Sequence, residues 1–235
     1  MRLYDFRTEY RENPIGLTEK APRFSWKIES QEKDTLQTAY EIKVTDEKGN
    51  IVWNSGKKAS DQSVLISYEG ETLADEMLYK VEVSVADNHG NVESIGGTFE
   101  TGIFDNAEFI AKMITSDFPE EETACPVFGK TFAIDKKVKK ARLYATAHGV
   151  YEVTLNGQTV GDYRMAPGWT SYHNRLQYQI YDVTEQLVEE NKSQLQSETD
   201  GIKESSVSIA SRISMVHRQE HLQSFMWNMK MEAKR

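Results

Sequence analysis

The sequence predicts an all-β chain of two sandwich domains, and three observations lead to that prediction. Apolar residues recur at every second position in several short segments, as they do on half-buried strands, most clearly in residues 40–44, 78–86 and 151–155. Turn sequences rich in Asp, Asn and Gly separate such segments. Almost no segment has the spacing of an amphipathic helix. A chain of 235 residues is long enough for two sandwiches of about 100 residues each.

The first half carries a regular series of short alternating segments. Phe24 and Trp26 alternate with polar residues, and Trp26 and Trp53 are predicted to lie in the core. Turn chemistry at residues 46–50 and 87–91 separates neighbouring strands. The predicted strands are residues 24–28, 40–44, 51–53, 63–68, 78–86 and 99–102.

The second half begins with strands predicted at residues 127–134 and 141–145. A hairpin follows, in which Asn156-Gly157 supplies the positive φ angles of a tight turn and Val160 starts the return strand. Residues 166–172 cannot be helical because Pro and Gly interrupt them. An ordered loop carrying two aromatic residues is therefore expected before the next strand.

Several motifs in a fixed order give the chain a resemblance to a known family. In the second half they are Asn156-Gly157, Val160-Gly161-Asp162, Ala166-Pro167-Gly168-Trp169-Thr170, Tyr172, Arg175, Tyr178-Gln179 and Tyr181-Asp182-Val183-Thr184. In the first half they are residues 7–10, 22–26, 37–40, 53–57 and 99–102. Together they resemble the amino-terminal domains of bacterial α-L-rhamnosidases, glycoside hydrolase family 78. Four positions depart from the tryptophans typical of that family: Val81, Ala86, Phe109 and Met113.

The resemblance implies a fold and a domain division. A fibronectin- or immunoglobulin-like sandwich is expected over residues 1–104, and an incomplete jelly-roll-like sandwich, the truncated rhamnosidase amino-terminal domain, over residues 105–190. An irregular, poorly ordered tail is expected over residues 191–235.

Composition excludes several classes of function. The formal net charge of −9 disfavours a nucleic-acid partner, because phosphate binding needs clustered Lys and Arg. The single cysteine, Cys125, rules out an internal disulfide and a cysteine-based metal site. Residues 87–91 contain ligand types suited to calcium but fit a hairpin turn better. No cofactor, metal or membrane partner is expected, and a cytoplasmic location is the default because no long apolar run is present.

No residue of this chain is predicted to be catalytic. Glycoside hydrolysis needs two carboxylates flanking the bond, and abundant acidic residues do not single out a pair. The resemblance implies that the catalytic acid and base lie in a helical barrel downstream. The complete protein would then hydrolyse terminal α-L-rhamnose, whereas this chain alone is expected to be inactive.

Sugar contact is the chemistry that the residues themselves favour. An aromatic ring packs on the C–H face of a pyranose while polar side chains bind its hydroxyl groups. The candidates are Trp169, Tyr172, Asn174 and Arg175. Alternatively, Trp169 plugs the end of the sandwich and Arg175 pairs with an acidic neighbour. The expected partner is thus a rhamnose-containing glycoside or the missing catalytic domain. The alternatives for the chain by itself are an independent carbohydrate-binding module and a purely structural pair of sandwiches.

The tail from Asn191 shows neither strand alternation nor turn chemistry. We consider a shifted frame, in which each codon takes the last base of one present codon and the first two bases of the next. Residues 191–204 can then encode Gln-Ile-Thr-Val-Ala-Val-Gly-Asp-Gly-Trp-Tyr-Lys-Gly, which resembles the family's next strand and its Gly-Asp-Gly-Trp motif. Residues 225–232 can encode an alternating strand and a turn in the same way. The resulting hypothesis is that the tail is translated out of frame.

Overall fold

The computed structural model describes residues 1–105, 113–115, 125–198, 206–215, 223–228 and 232–234. Its contacts divide the chain into two compact units, Met1–Glu108 and Phe109–Arg235. All regular elements in the described ranges are strands apart from one 3₁₀ helix, Thr184–Gln186. The prediction of an all-β chain is confirmed. No helix among these residues has the length and apolar character needed to cross a membrane.

The first unit contains seven strands in two antiparallel sheets. The three-stranded sheet has the order β1-β2-β5 and the four-stranded sheet the order β4-β3-β6-β7. The strands are β1 (Arg2–Thr8), β2 (Arg23–Glu29), β3 (Gln37–Thr45), β4 (Ile51–Asn54), β5 (Ile66–Ser67), β6 (Leu78–Asp87) and β7 (Val92–Glu100).

The inward-facing residues of the two sheets form the core of the first unit. Trp26 is fully buried, and its indole N–H donates to Oε1 of Gln37 at 3.0 Å, so the polar end of the ring is satisfied. Trp53 is partly buried and packs against Tyr68 at a centroid distance of 5.3 Å. Other fully buried members are Phe24, Ile42, Val44, Val81, Val83, Val85 and Phe99.

Two strands of the first unit do not follow from alternation. β1 contains a register irregularity between Tyr4 and Arg7, where Asp5 has a φ of 52°. β7 begins at Val92, whereas the predicted strand starts at Phe99. The sequence does not reveal its first half because Gly96 and Gly97 interrupt the apolar pattern. Among the positions that depart from the family pattern, Val81 is buried, Ala86 is half-buried, Met113 is exposed and Phe109 lies outside the described residues.

The second unit is built from two further antiparallel sheets. One has the order β13-β10-β15-β16, with β8 also paired to β15, and the other has the order β12-β11-β14-β9-β17. The strands are β8 (Ile114–Thr115), β9 (Val127–Ala133), β10 (Val138–His148), β11 (Val150–Leu155), β12 (Gln158–Thr159), β13 (Gln179–Asp182), β14 (Glu190–Glu198), β15 (Ser206–Met215), β16 (Gln223–Asn228) and β17 (Glu232–Lys234).

The predicted hairpin of the second unit is present. Asn156 and Gly157 join β11 to β12 with φ angles of 54° and 79°, the pair of positive values that a type I′ turn requires. The return strand begins at Gln158 rather than at Val160. Val160 follows it and donates its backbone N–H to the oxygen of Val153 at 2.9 Å.

The tail, expected to be irregular, contains strands that apolar alternation did not predict. Described residues beyond 190 include strands β14 to β17, and β14 pairs with β11 on one side and β9 on the other. Asn191, Ser193 and Leu195 point inward and are buried. Two of these three are polar, so the strand has no apolar alternation to detect. The amide of Asn191 is satisfied by both backbone groups of Val188, with its nitrogen donating at 2.6 Å and its oxygen accepting at 2.9 Å.

Candidate functional site

The loop between β12 and β13, residues 160–178, carries all the candidate sugar-contacting residues, and we call it the aromatic loop. Its middle is attached to the sheet, because the backbone N–H of Tyr151 donates to the oxygen of Ala166 at 2.7 Å. The side-chain amide of Gln179 donates to the oxygen of Pro167 at 3.0 Å. Near its end, the hydroxyl of Thr146 donates to the oxygen of Gln177 at 2.6 Å. The loop is therefore fixed to the core on both sides.

Next to the anchoring residue Gln179, the hydroxyls of the buried Tyr151 and the half-buried Tyr181 lie within hydrogen-bond distance of each other. The phenol oxygen of Tyr151 lies 2.9 Å from Oε1 of Gln179 and 3.2 Å from the phenol oxygen of Tyr181. Burial raises the pKa of Tyr151 well above its usual range, so this phenol stays protonated. Gly161 packs against Tyr181, since a Cβ at this position would lie 2.4 Å from the ring.

Trp169 is the most exposed large hydrophobic residue of the loop, with 74% of its surface accessible. A tryptophan that closed the end of a sandwich would be largely buried. The interpretation of Trp169 as a plug is therefore wrong. Its ring is available for contact with a partner.

Asn174 and Arg175 lie on a closed turn directly after Trp169. The backbone N–H groups of both residues donate to the oxygen of Ser171, at 2.8 and 2.9 Å. Across the same turn, the hydroxyl of Thr170 donates to the oxygen of Arg175. Both side chains are exposed. Ion pairs between described residues of this unit include Arg142 with Asp182 and Arg164 with Glu152, and Arg175 takes part in neither of these.

Tyr172 is placed differently from the other three candidates. Its ring stacks on His148 with centroids 5.4 Å apart, and its hydroxyl oxygen accepts the backbone N–H of Gly149 at 3.2 Å. It is half-buried. These contacts attach the aromatic loop to the corner between β10 and β11, so Tyr172 positions the exposed residues beside it.

Two further exposed large hydrophobic residues of the loop were not among the candidates. Tyr163 and Met165 are 63% and 70% exposed. Between them, the guanidinium of Arg164 binds the carboxylate of Glu152 at 3.0 Å. The signal in the sequence was a pair of large apolar residues around a charged one, directly before the predicted loop of residues 166–172.

The segment with calcium-like ligand types is a hairpin turn. Both carboxylate oxygens of Asp87 are occupied, by the backbone N–H groups of His89 and Asn91 at 2.9 and 2.8 Å and by the amide of Asn91 at 2.9 Å. Asp46 makes the same bonds to Lys48 and Asn50 in the preceding hairpin. Over the described ranges, no group of three or more His, Cys, Asp or Glu side chains is arranged to hold a metal ion.

Comparison with known families matches both units. Residues 3–105 match the family described as a Rha78A-like, N-terminal immunoglobulin domain. Residues 136–222 match the alpha-L-rhamnosidase N-terminal domain.

Curated relatives are α-L-rhamnosidases. One from Formosa agariphila is 33% identical over 197 residues, which cover 77% of this chain and 21% of the relative. One from an Alteromonas species is 34% identical over 189 residues, covering 73% of this chain and 20% of the relative. The chain thus spans about a fifth of the length of these relatives.

Solved structures of two rhamnosidases share the fold. The α-L-rhamnosidase of Dictyoglumus thermophilum superimposes with a TM-score of 0.86 at 28% identity, covering 99% of this chain and 29% of that one. The enzyme from Aspergillus terreus gives a TM-score of 0.80 at 27% identity, covering 95% of this chain and 28% of that one. With the two family matches, these likenesses establish that the chain belongs to the α-L-rhamnosidases of glycoside hydrolase family 78 and corresponds to their amino-terminal domains.

Proposed function

We propose that this chain is the non-catalytic amino-terminal part of an enzyme that, when complete, hydrolyses terminal α-L-rhamnose from glycosides. The family matches over both units and the named relatives support this activity for the whole protein. Hydrolysis needs a positioned pair of carboxylates, which the family resemblance puts in a domain outside this chain. The isolated chain is accordingly expected to show no rhamnosidase activity.

For the aromatic loop, the proposed role is contact with a rhamnose-containing glycoside. The observation that carries this proposal is the 74% exposure of Trp169 on a loop that is fixed to the core. Rhamnose has a C–H face and a methyl group that pack well on an indole ring, and the ring loses little freedom on binding. Asn174 and Arg175 can supply the hydrogen bonds to hydroxyl groups, because their side chains leave the adjacent turn into solvent.

The test is a titration of the isolated chain with L-rhamnose and methyl α-L-rhamnoside, followed by calorimetry and by backbone amide NMR shifts. We expect saturable binding that Trp169→Ala weakens at least about fivefold, the equivalent of ~1 kcal/mol. Tyr10→Ala removes a similarly exposed aromatic residue from the first unit and is the matched control. Absence of saturable binding, or equal affinity in the chain with Trp169→Ala, contradicts the proposal.

A second candidate role is docking of the aromatic loop on the rest of the longer protein. The observation in its favour is that Tyr163 and Met165 are exposed on the same loop as Trp169. Aromatic residues and methionine are enriched at protein interfaces. Under this role Tyr163→Ser with Met165→Ser lowers the thermal midpoint of the complete protein and leaves that of the isolated chain unchanged. Under the sugar-contact role alone, both midpoints stay the same.

A further inference from the structure

Asn156-Gly157 is the sole Asn-Gly pair in the sequence, and it occupies the turn between β11 and β12. We infer that Asn156 is a latent site of spontaneous deamidation, and that the first residues of β14 shield it while the sandwich is intact. This inference concerns the second unit itself and is independent of what the aromatic loop binds.

The chemistry needs only water as a co-reactant. The backbone nitrogen of Gly157 attacks Cγ of Asn156, a bond that forms readily because glycine has no Cβ to obstruct the approach. The side-chain nitrogen leaves as ammonia and a five-membered succinimide remains. Water then opens one of its two C–N bonds, which yields aspartate or isoaspartate at position 156.

In the folded chain the amide that must react is held at both ends. Its nitrogen donates to the backbone oxygen of Gln186 at 2.8 Å and to Oδ1 of Asn191 at 2.9 Å. Its oxygen accepts the backbone N–H of Lys192 at 2.8 Å. Turning Cγ towards the nitrogen of Gly157 breaks all three hydrogen bonds. Asn156 is exposed, so these bonds, rather than burial, restrain it.

Two of the three partners belong to the start of β14. Asn191 is buried and fixed by its own bonds to Val188, and the backbone of Lys192 also accepts the N–H of Asn156 at 2.8 Å. Detachment of this strand end frees the Asn156 amide. Deamidation should therefore require local opening of β14 and should proceed at a rate set by how often it opens.

The product would prevent the strand from returning. A carboxylate at position 156 has no donor for the oxygens of Gln186 and Asn191, and it places negative charge against both acceptors. Isoaspartate additionally lengthens the backbone of a two-residue turn. A reversible opening of β14 thus becomes permanent.

The experiment incubates the full chain in mildly alkaline buffer and follows the mass gain of the peptide that contains Asn156. We expect the folded chain to deamidate at least about tenfold more slowly than the chain in denaturant, and Asn191→Ala to remove most of that protection. Ser193→Ala, which alters a buried residue of the same strand that does not bond Asn156, is the matched control. Gly157→Ala should slow the reaction in both states.

A second measurement needs no variant. In urea below the unfolding midpoint, deamidation at Asn156 and hydrogen exchange of the Lys192 amide should accelerate in parallel, because both require the same hydrogen bond to break. Equal deamidation rates for folded and denatured chain overturn the inference. Rates at Asn156 that do not follow exchange at Lys192 overturn it as well.

Discussion

The hydroxyl group of Thr170 donates a hydrogen bond to the backbone oxygen of Arg175. This bond crosses the turn in which the oxygen of Ser171 accepts the N–H groups of Asn174 and Arg175. Trp169, immediately before Thr170, is thereby held next to the residue that carries the guanidinium group. The backbone of this turn thus holds the aromatic ring of Trp169 near the cationic side chain of Arg175, and the two side chains need not touch.

Thr170→Val keeps the size of the side chain but is predicted to loosen this turn. The substitution removes the donor and costs about 1 kcal/mol of stability in the second unit. If the aromatic loop binds rhamnosides, affinity should fall as well, because the spacing between Trp169 and Arg175 is no longer fixed. Thermal unfolding and calorimetric titration measure the two effects. Thr159→Val, at an exposed position of β12, is the control and should change neither quantity.

The strands that alternation predicted correctly are those whose inward residues are apolar, such as β6 with Val81, Val83 and Val85. Strands with polar inward residues escaped prediction. In β14 the buried Asn191 is satisfied by Val188 and Asn156, contacts that exist only after the sheet has formed. Sequence pattern records burial of apolar surface well, whereas hydrogen bonds between distant segments leave no periodic signal.

The sequence names the candidate residues but does not reveal how they are arranged. The sequence places Trp169, Tyr172, Asn174 and Arg175 within one loop, and the structure places that loop outside the regular strands. Trp169 is exposed and Tyr172 stacks on His148 in a loop that Tyr151 and Gln179, from the flanking strands, anchor by hydrogen bonds. Spacing along the chain does not reveal such bonds.

Gly96 is predicted to be the least replaceable glycine of β7. A Cβ at this position would lie 2.1 Å from the backbone oxygen of Val81, so β6 and β7 would have to separate. We expect Gly96→Ala to lower the free energy of unfolding of the first unit by about 2 kcal/mol or more. Chemical denaturation measures the loss.

The control for this prediction is Gly129→Ala in β9. There a Cβ would have its nearest neighbour, the oxygen of Ser193, at 3.9 Å, which is ordinary contact. Unchanged or increased stability is expected, because alanine leaves the unfolded chain fewer conformations than glycine does, and less entropy is then lost on folding. An equal loss for both substitutions would mean that close approach of β6 is not the cause.

Acid is predicted to weaken the first unit through its two matching turns. Hydrogen bonds from Asn50, chiefly from its side chain, lower the pKa of Asp46 from its usual 3.8. Burial acts to raise the pKa of Asp87, but hydrogen bonds from Asn91 and His89 outweigh it and the net pKa is lowered. Because both pKa values are depressed in the folded state, their stabilisation is present above about pH 4 and is lost as pH falls through the folded-state values.

The measurement is thermal unfolding at neutral pH and at about pH 3, followed by tryptophan fluorescence, to which the buried Trp26 contributes. Replacing both carboxylates, as in Asp46→Asn with Asp87→Asn, should reduce the loss between the two conditions without abolishing it. Asp5 and Glu9 also have lowered pKa values, through hydrogen bonds from Lys27 and Arg23, and remain in this variant. Identical pH dependence of the two chains would show that the turns do not contribute.

DNA sequencing is predicted to show a shifted reading frame near codon 191. The buried positions of β14 are 191, 193 and 195, and two of them hold Asn and Ser. The shifted frame encodes Gln-Ile-Thr-Val-Ala-Val-Gly. Its isoleucine and two valines occupy every second position, the same spacing as the buried positions, as a strand between two others requires. The match to the family's N-terminal domain extends to residue 222, which is also expected if the present frame of the tail is the proper one. Sequencing from upstream of codon 190 through several hundred bases beyond codon 235 decides between a shifted and a proper frame. A one-frame correction that opens a long frame encoding a helical, carboxylate-rich domain supports the hypothesis, and continuous genomic coding in the present frame refutes it.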